Sequence, residues 1–196
     1  MAQEIRTFIA IELSDLLKAR LNELEEGLKE QAPPRAVRWV RPEGIHLTLK
    51  FLGQTPVGEI EPIVKALALA CASFSPFLCT VGGLGCFPNL RRPRVIWVAV
   101  EEPTGAISRL QEAVERACAE LGFGRESRAF HPHLTLGRLR DRASAQERRA
   151  VGELIQGTEA PCVGTLTAKM ISLIRSDLRP TGAVYTTLRE IELKEG

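Results

Sequence analysis

Apolar residues recur along this chain in two distinct rhythms. Residues 8–13 and 95–100 are short, almost unbroken apolar runs of the kind that form buried strands. Elsewhere the spacing is helical. Leu17, Leu21, Leu24 and Leu28 fall four, three and four apart behind a cap at Ser14 or Asp15. Ile60, Ile63, Val64, Leu67 and Cys71 make a second stripe, and Ile107, Leu110, Val114, Cys118 and Leu121 a third, behind Thr104 and stopped at Gly122. Ser144 and Glu147 form a capping box ahead of Val151, Leu154 and Ile155. Two β-rich runs, roughly 166–174 and 183–193, close the chain, and Pro180, Thr181 and Gly182 between them predict a terminal hairpin.

These elements repeat in register. His46-Leu47-Thr48-Leu49 recurs letter for letter 87 positions later as His133-Leu134-Thr135-Leu136. The same offset lays 8–13 onto 95–100 and the helical segment near Val57 onto the one at Ser144. Each half therefore reads strand, helix, strand, helix, strand. The expected class is α+β, a duplicated βαβαβ unit whose halves form two pseudo-twofold lobes around a groove. Halves of roughly 100 residues have thin cores, so a single bilobal domain over 1–196 is expected, its first half about 1–87 and its second about 88–196. The stretch Gly82-Gly83-Leu84-Gly85-Cys86-Phe87-Pro88 lacks the third glycine of a dinucleotide loop and the Lys-Ser/Thr ending of a phosphate loop. It is expected to be a turn between lobes, within a boundary at 82–94.

Composition bounds the partners. The 196 residues are 44% hydrophobic and 26% charged, enough for a real core, and 26 Lys and Arg against 24 Asp and Glu leave a net charge of only +2. Any basic site must therefore be local. Five cysteines, Cys71, Cys79, Cys86, Cys118 and Cys162, form no CxxC pair and make a poor disulfide framework, which suits a reducing cytoplasmic setting. The start of the chain, with Glu4 and Arg6, lacks the features of a secretory signal. Nothing approaches the ~20 apolar residues of a membrane span, so no membrane partner is expected.

The candidate chemistry rests on the repeated tetrapeptide. In a strand, residues i and i+2 share a face, so His46 lies with Thr48 and His133 with Thr135, while the leucines anchor the opposite face. One His-x-Thr in a strand is ordinarily a polar pair facing solvent. Two copies in register point to a shared site holding two imidazoles. With a reference pKa of about 6.5, one ring can be free base and the other imidazolium near neutrality. Displacement at phosphorus needs that pair on opposite flanks, because the attacking and departing oxygens lie in line. Thr48 and Thr135 hydroxyls, and the forked cation of Arg138, suit the non-bridging oxygens. Strict pleating turns Arg138 away from His133, so a bulge near Gly137 is required to bring it inward.

Other residues are weighed against plainer roles. Arg35, Arg38 and Arg41, and Arg91, Arg92 and Arg94, are groove candidates for nucleic-acid backbone contacts or ordinary solvated arginines. Phe8 and Phe130 are candidates for stacking on a base, with core packing favoured. Trp39 and Trp97 are expected in the core, and Tyr185 falls on a terminal strand. Two rivals stay open. His131, His133 and His46 would supply three nitrogen ligands for a catalytic zinc, and the groove would also serve an RNA-binding module without turnover.

Arg6-Thr7-Phe8-Ile9-Ala10-Ile11, residues 42–53, Arg92-Pro93-Arg94-Val95-Ile96-Trp97, Phe130-His131-Pro132-His133-Leu134-Thr135-Leu136-Gly137-Arg138 and residues 176–185 together span nearly the whole chain. They resemble the 2H phosphoesterases, and most closely the bacterial and archaeal RNA 2′,3′-cyclic phosphodiesterases, historically called 2′-5′ RNA ligases. The resemblance implies antiparallel sheets in two lobes around a central groove. It implies a hydrolase that opens RNA 2′,3′-cyclic phosphate ends to 2′-phosphate with no metal or other cofactor. Within it, His46 is the acid that protonates the departing 3′ oxygen, His133 the base that activates water, and Thr48, Thr135 and Arg138 the phosphate-holding set. The family can also join 2′,3′-cyclic and 5′-hydroxyl ends through a 2′-5′ bond. The implied partner is RNA with cyclic phosphate ends, tRNA fragments among them, and the implied state is a cytoplasmic monomer.

Overall fold

A computed structural model describes residues 3–160, 162–179 and 182–194. Pro180 and Thr181 of the expected terminal turn lie outside the described residues. In chain order the elements are β1 (Glu4–Glu12), α1 (Asp15–Gln31), β2 (Val37–Trp39), β3 (His46–Pro56), α2 (Ile60–Cys71), β4 (Phe77–Phe87), β5 (Val95–Glu101), α3 (Ala106–Glu120), β6 (His133–Leu139), α4 (Ala145–Gly157), β7 (Gly164–Ala168), β8 (Met170–Arg179) and β9 (Gly182–Glu192). The twofold strand, helix, strand, helix, strand order is therefore present as β1-α1-β3-α2-β4 and β5-α3-β6-α4-β7, followed by the β8–β9 hairpin.

The helices start where side chains satisfy their free N–H groups. Ser14 Oγ accepts from Leu17 N at 3.3 Å, and Ser144 and Glu147 close the expected capping box at 3.2 and 2.7 Å. The start of α3 differs from expectation. Its cap residue is Gly105, and the carboxylate of Glu102, rather than Thr104, takes the N–H groups of Ala106 and Ile107. Thr104 instead donates its hydroxyl to Glu102 at 2.6 Å.

All described strand pairings are antiparallel, in the order β7-β4-β5-β6-β3-β1-β8-β9, with β2 added on β6. This gives one lobe of β3, β1, β8 and β9 and a second of β6, β5, β4 and β7. The lobes are not the sequence halves, because β4 leaves the first half to pair with β5 and β7 of the second. The glycine-rich stretch is accordingly strand, not the expected turn. Gly83 sits at φ +73° where the β4–β5 register shifts, and Gly85 leaves room for the Trp97 ring, which a Cβ there would overlap at 2.2 Å. The expected run 166–174 is likewise two strands. It breaks at Lys169, so that β7 pairs with β4 at one sheet edge and β8 with β1 in the other lobe.

Alternation along the strands sends one set of side chains toward the helices. Ile9, Ile11, Leu47, Ile96, Val98 and Leu134 form the main core with Leu21, Ile63, Leu67, Leu110 and Val114 of the helices. A separate cluster of Phe8, Ala10 and Ile174 lies on the opposite face of the sheet. Beneath β3, Lys50 donates to Glu115 Oε2 at 2.7 Å and to the Gly124 carbonyl at 2.8 Å, a buried ion pair that ties this strand to α3. All five cysteines are free thiols, and burial pushes those of Cys71, Cys79, Cys86 and Cys118 up to about 11. No helix among the described residues is long and apolar enough to cross a membrane.

Candidate active site

The two lobes meet at one cross-strand pair, Leu47 opposite Leu134. Both leucines are fully buried on the helix side. Antiparallel pairing about this point sets His46 across from Thr135 and Thr48 across from His133, all on the groove face. The strands splay on either side of the pair, and the duplicated tetrapeptides become the two walls of one site.

Each strand carries a bulge at the last residue of its motif. Between Ile9 and Ala10 of β1, the β3 register advances from Lys50 to Thr48, leaving Leu49 as the extra residue. Between Ile96 and Trp97 of β5, β6 moves from Gly137 to Thr135, leaving Leu136 as the extra residue. The bulges occupy equivalent positions in the two halves. In β6 the bulge reverses the pleat, so Arg138 shares the groove face with His133 and Thr135, as the sequence requires of it. In β3 the same reversal carries Lys50 to the helix side, where Glu115 meets it. The groove-side counterpart of Arg138 is then Phe51, 61% exposed and 6.1 Å from the ring of Phe8. The halves thus differ where the cation stands.

The two imidazoles are held alike. His133 Nδ1 lies 2.6 Å from the His131 carbonyl oxygen, and His46 is hydrogen-bonded to the Gly44 carbonyl, each two residues upstream of its ring. A carbonyl only accepts, so each ring donates through that nitrogen and its other nitrogen is left for the groove. Aromatic rings complete the walls. Phe8 stacks on His46 at 4.6 Å and Tyr185 meets the same ring edge-on at 5.2 Å, while Phe87 stands edge-on to His133 at 4.9 Å with Trp97 behind it.

This enclosure shifts both rings. Burial lowers the pKa of His46 to about 4, with Arg138 and His133 adding to the depression, against the Gly44 carbonyl and the carboxylate of Glu12. Burial also lowers His133, Arg138 and His131 contribute, and the His131 carbonyl opposes. Near neutrality this enclosure favours the uncharged form of both rings in the free protein, so the expected charged ring needs a further source of stabilisation. Arg138 acts on both rings, and Glu12 is the carboxylate that acts on His46.

The structure brings together His46, Thr48, His133, Thr135 and Arg138. Phe8 is only 3% exposed yet packs outside the main core, directly against His46. Phe130 packs on the main core. Trp97, expected in the core, is half-buried on the groove face, because β5 alternates from Ile96 and Val98 on the helix side. Trp39 is half-buried against the core and also lines a cavity beside the motif. Arg38 and Arg41 line that cavity, whereas Arg35, Arg91, Arg92 and Arg94 are exposed outside it. His131 is exposed ahead of β6 rather than on it, and among the described residues no three His, Cys, Asp or Glu side chains are placed to hold a metal. Glu12 is the carboxylate beside His46 that the sequence reading misses. It shares a strand face with Phe8 and Ala10, a signal the alternation of β1 contains, but its opposition to His46 depends on a register that the bulges set.

The chain matches the family described as the 2′-5′ RNA ligase superfamily over residues 13–179. It is 33% identical over 190 residues to the RNA 2′,3′-cyclic phosphodiesterase of Methanothermobacter thermautotrophicus, covering 97% of this chain and 100% of that one. The protein of the same name from Thermus thermophilus is 34% identical over 198 residues, covering 97% and 91%. Among solved structures, TT0787 of Thermus thermophilus superposes with a TM-score of 0.79 at 28% identity, over 96% of this chain and 98% of that one. E. coli LigT complexed with 3′-AMP superposes with a TM-score of 0.73 at 26% identity, over 98% and 100%.

Proposed function

Because the chain belongs to the 2′-5′ RNA ligase superfamily, we propose that it is an RNA 2′,3′-cyclic phosphodiesterase, a hydrolase that opens cyclic phosphate ends to 2′-phosphate by paired imidazole catalysis without a metal ion. Its relatives carry that name over nearly the whole chain. The observation that carries the mechanism is the Leu47–Leu134 pair, which sets one His and one Thr of each motif around a common space.

In the reaction a water oxygen bonds to phosphorus as its proton passes to Nε2 of His133, whose Nδ1–H is committed to the His131 carbonyl. On the far side the bond from phosphorus to the 3′ oxygen breaks, and His46 gives that oxygen its proton. Thr48, Thr135 and Arg138 hold the non-bridging oxygens, whose charge must be stabilised throughout. A 5′-hydroxyl end in the place of water turns the same chemistry into 2′-5′ joining.

Protonation is coupled to substrate arrival. An anion between the rings offsets Arg138 and favours imidazolium, the state that burial alone suppresses. Of the two rings Glu12 acts on His46 alone, and so favours the acid as the ring that takes up the proton. After product leaves, His133 releases its proton to solvent, and His46 takes one up again as the next cyclic phosphate binds.

The test presents oligonucleotides ending in 2′,3′-cyclic phosphate in the presence of a strong chelator and identifies the hydroxyl that keeps the phosphate. The expected product is the 2′-phosphate at an undiminished rate. His46→Ala and His133→Ala each remove turnover by ~100-fold or more, while His131→Ala, which keeps the backbone carbonyl, spares most of it. A 3′-phosphate product or loss of activity to the chelator overturns the mechanism, and binding without product leaves only an RNA-binding module.

A further inference from the structure

Beside the histidine pair opens a cavity of about 480 Å³, bounded by β2, the turn at Pro42–Gly44, β6 and the start of β9. Its walls include Arg38, Arg41, Arg138, Trp39, Tyr185 and Glu43. Arg38 and Arg138 are direct cross-strand partners in the β2–β6 ladder. Like charges in that relation repel, and the usual remedy is a carboxylate between them. None is supplied: among the described residues no ion pair or hydrogen bond engages the side chain of Arg38, Arg41 or Arg138, and Glu43 lies on the wall without reaching any of them.

The pairing that creates this repulsion is built in. β2 is three residues long and its ladder is to β6 alone. Val40 N–H extends it by binding the carbonyl of the bulged Leu136 at 2.8 Å. The bulge that turns Arg138 toward the histidines therefore also fixes Arg38 beside it. Three unneutralised guanidinium groups held along a cavity are suited to an anion, and guanidinium matches phosphate oxygens in paired hydrogen bonds. The cavity adjoins the histidine pair through two wall residues, since Arg138 acts on both imidazoles and Tyr185 meets the His46 ring edge-on at 5.2 Å. One phosphate between the histidines engages Arg138 and leaves Arg38 and Arg41 for a second.

We infer that this cavity is a second phosphate subsite, in which Arg38 and Arg41 take the internal phosphodiester next to the cyclic end, making RNA of two or more nucleotides the substrate class. The inference rests on the cyclic phosphodiesterase reading above and adds a length requirement to it. Trp39 and Tyr185 lend flat apolar surface to the linking nucleoside, whereas the arginines supply the charge recognition.

The experiment compares kcat/KM for a 2′,3′-cyclic mononucleotide, for a dinucleotide ending in the same cyclic nucleotide, and for that dinucleotide with an uncharged methylphosphonate internal linkage. Wild-type protein prefers the charged dinucleotide by ~10-fold or more, and the methylphosphonate falls back to the mononucleotide. Arg38→Ala/Arg41→Ala brings the dinucleotide-to-mononucleotide ratio close to 1 and flattens its salt dependence, with folding verified by thermal melting. Equal kcat/KM for mononucleotide and dinucleotide on the wild type overturns the subsite, and so does a preference that survives the double substitution. A preference retained by the methylphosphonate assigns selection to stacking and overturns the phosphate assignment. If no cyclic phosphate of any length is turned over, the failure belongs to the phosphodiesterase reading instead.

Discussion

Glu12 stands directly across from His46 in the β1–β3 ladder, and the hydroxyl of Thr187 on β9 donates to its Oε1 at 2.7 Å. The residue across from His133 is Ala99. Duplication placed equivalent imidazoles in the groove, and this one pair of neighbours makes them unequal. A carboxylate beside one of two otherwise matched rings favours the charged form of that ring.

That asymmetry has a kinetic signature. Glu12→Gln keeps the shape and the hydrogen bond but removes the charge, so the proton on His46 is lost at lower pH in the substrate complex. The alkaline limb of kcat moves to lower pH, and kcat at pH 8 falls roughly threefold to tenfold more than kcat at pH 6. KM changes little. Thr187→Val, which only loosens the carboxylate, moves the limb in the same direction by less. Superimposable wild-type and Glu12→Gln profiles would show that the carboxylate has no part in the proton's location.

Burial of His46 also makes the fold sensitive to acid. The folded pKa of about 4 lies below the ordinary value of 6.5, so between those limits the unfolded chain binds the extra proton. Stability is therefore full above pH 6.5 and declines as pH falls toward 4. Thermal melts at pH 7 and pH 5 are expected to differ, and His46→Gln, which cannot take up the proton, narrows the gap. Inorganic phosphate, by pairing with the imidazolium, narrows it in the wild type. An acid loss identical in His46→Gln would assign the effect to other groups.

Much of this architecture is legible in the sequence because the signals are local. The caps at Ser14 and Ser144, the leucine stripe of α1 and the doubled His-x-Thr each depend on residues within one element, and each is found where the pattern puts it. What the sequence hides is set by pairing between distant segments. The glycines at 83 and 85 look like a turn until β5 is laid beside β4 and the Trp97 ring needs the space. The run 166–174 looks like one strand because nothing local marks its split at Lys169, where the chain passes from β7 at one edge of the sheet to β8 between β1 and β9. Strict alternation would put Lys50 on the groove face with His46 and Thr48, and only the Leu49 bulge turns it inward to Glu115. The need for a bulge at Arg138 is an intermediate case. The requirement follows from the chemistry, but its location at Leu136, and the recruitment of Arg38 opposite, follow from registers that no local pattern encodes.

Arg138 is the point where that bulge can be tested through the histidines themselves. Its guanidinium shares their face of β6 and lowers the pKa of both rings, so its removal must act on two titrations at once. In Arg138→Ala, ring-proton NMR is expected to find His46 and His133 both titrating at higher pH than in the wild type. The kcat/KM profile moves to higher pH with them, while its maximum falls by ~100-fold through lost stabilisation of the non-bridging oxygens. Arg138→Lys keeps the charge, so it leaves both titrations near their wild-type positions, yet it recovers only part of the rate because an ammonium cannot reproduce the forked contact. This split separates the two roles of the side chain: charge alone sets the titrations, and charge with planar geometry sets the rate. Were Arg138→Ala to move only one histidine, the cation would belong to one wall of the groove instead of standing between both.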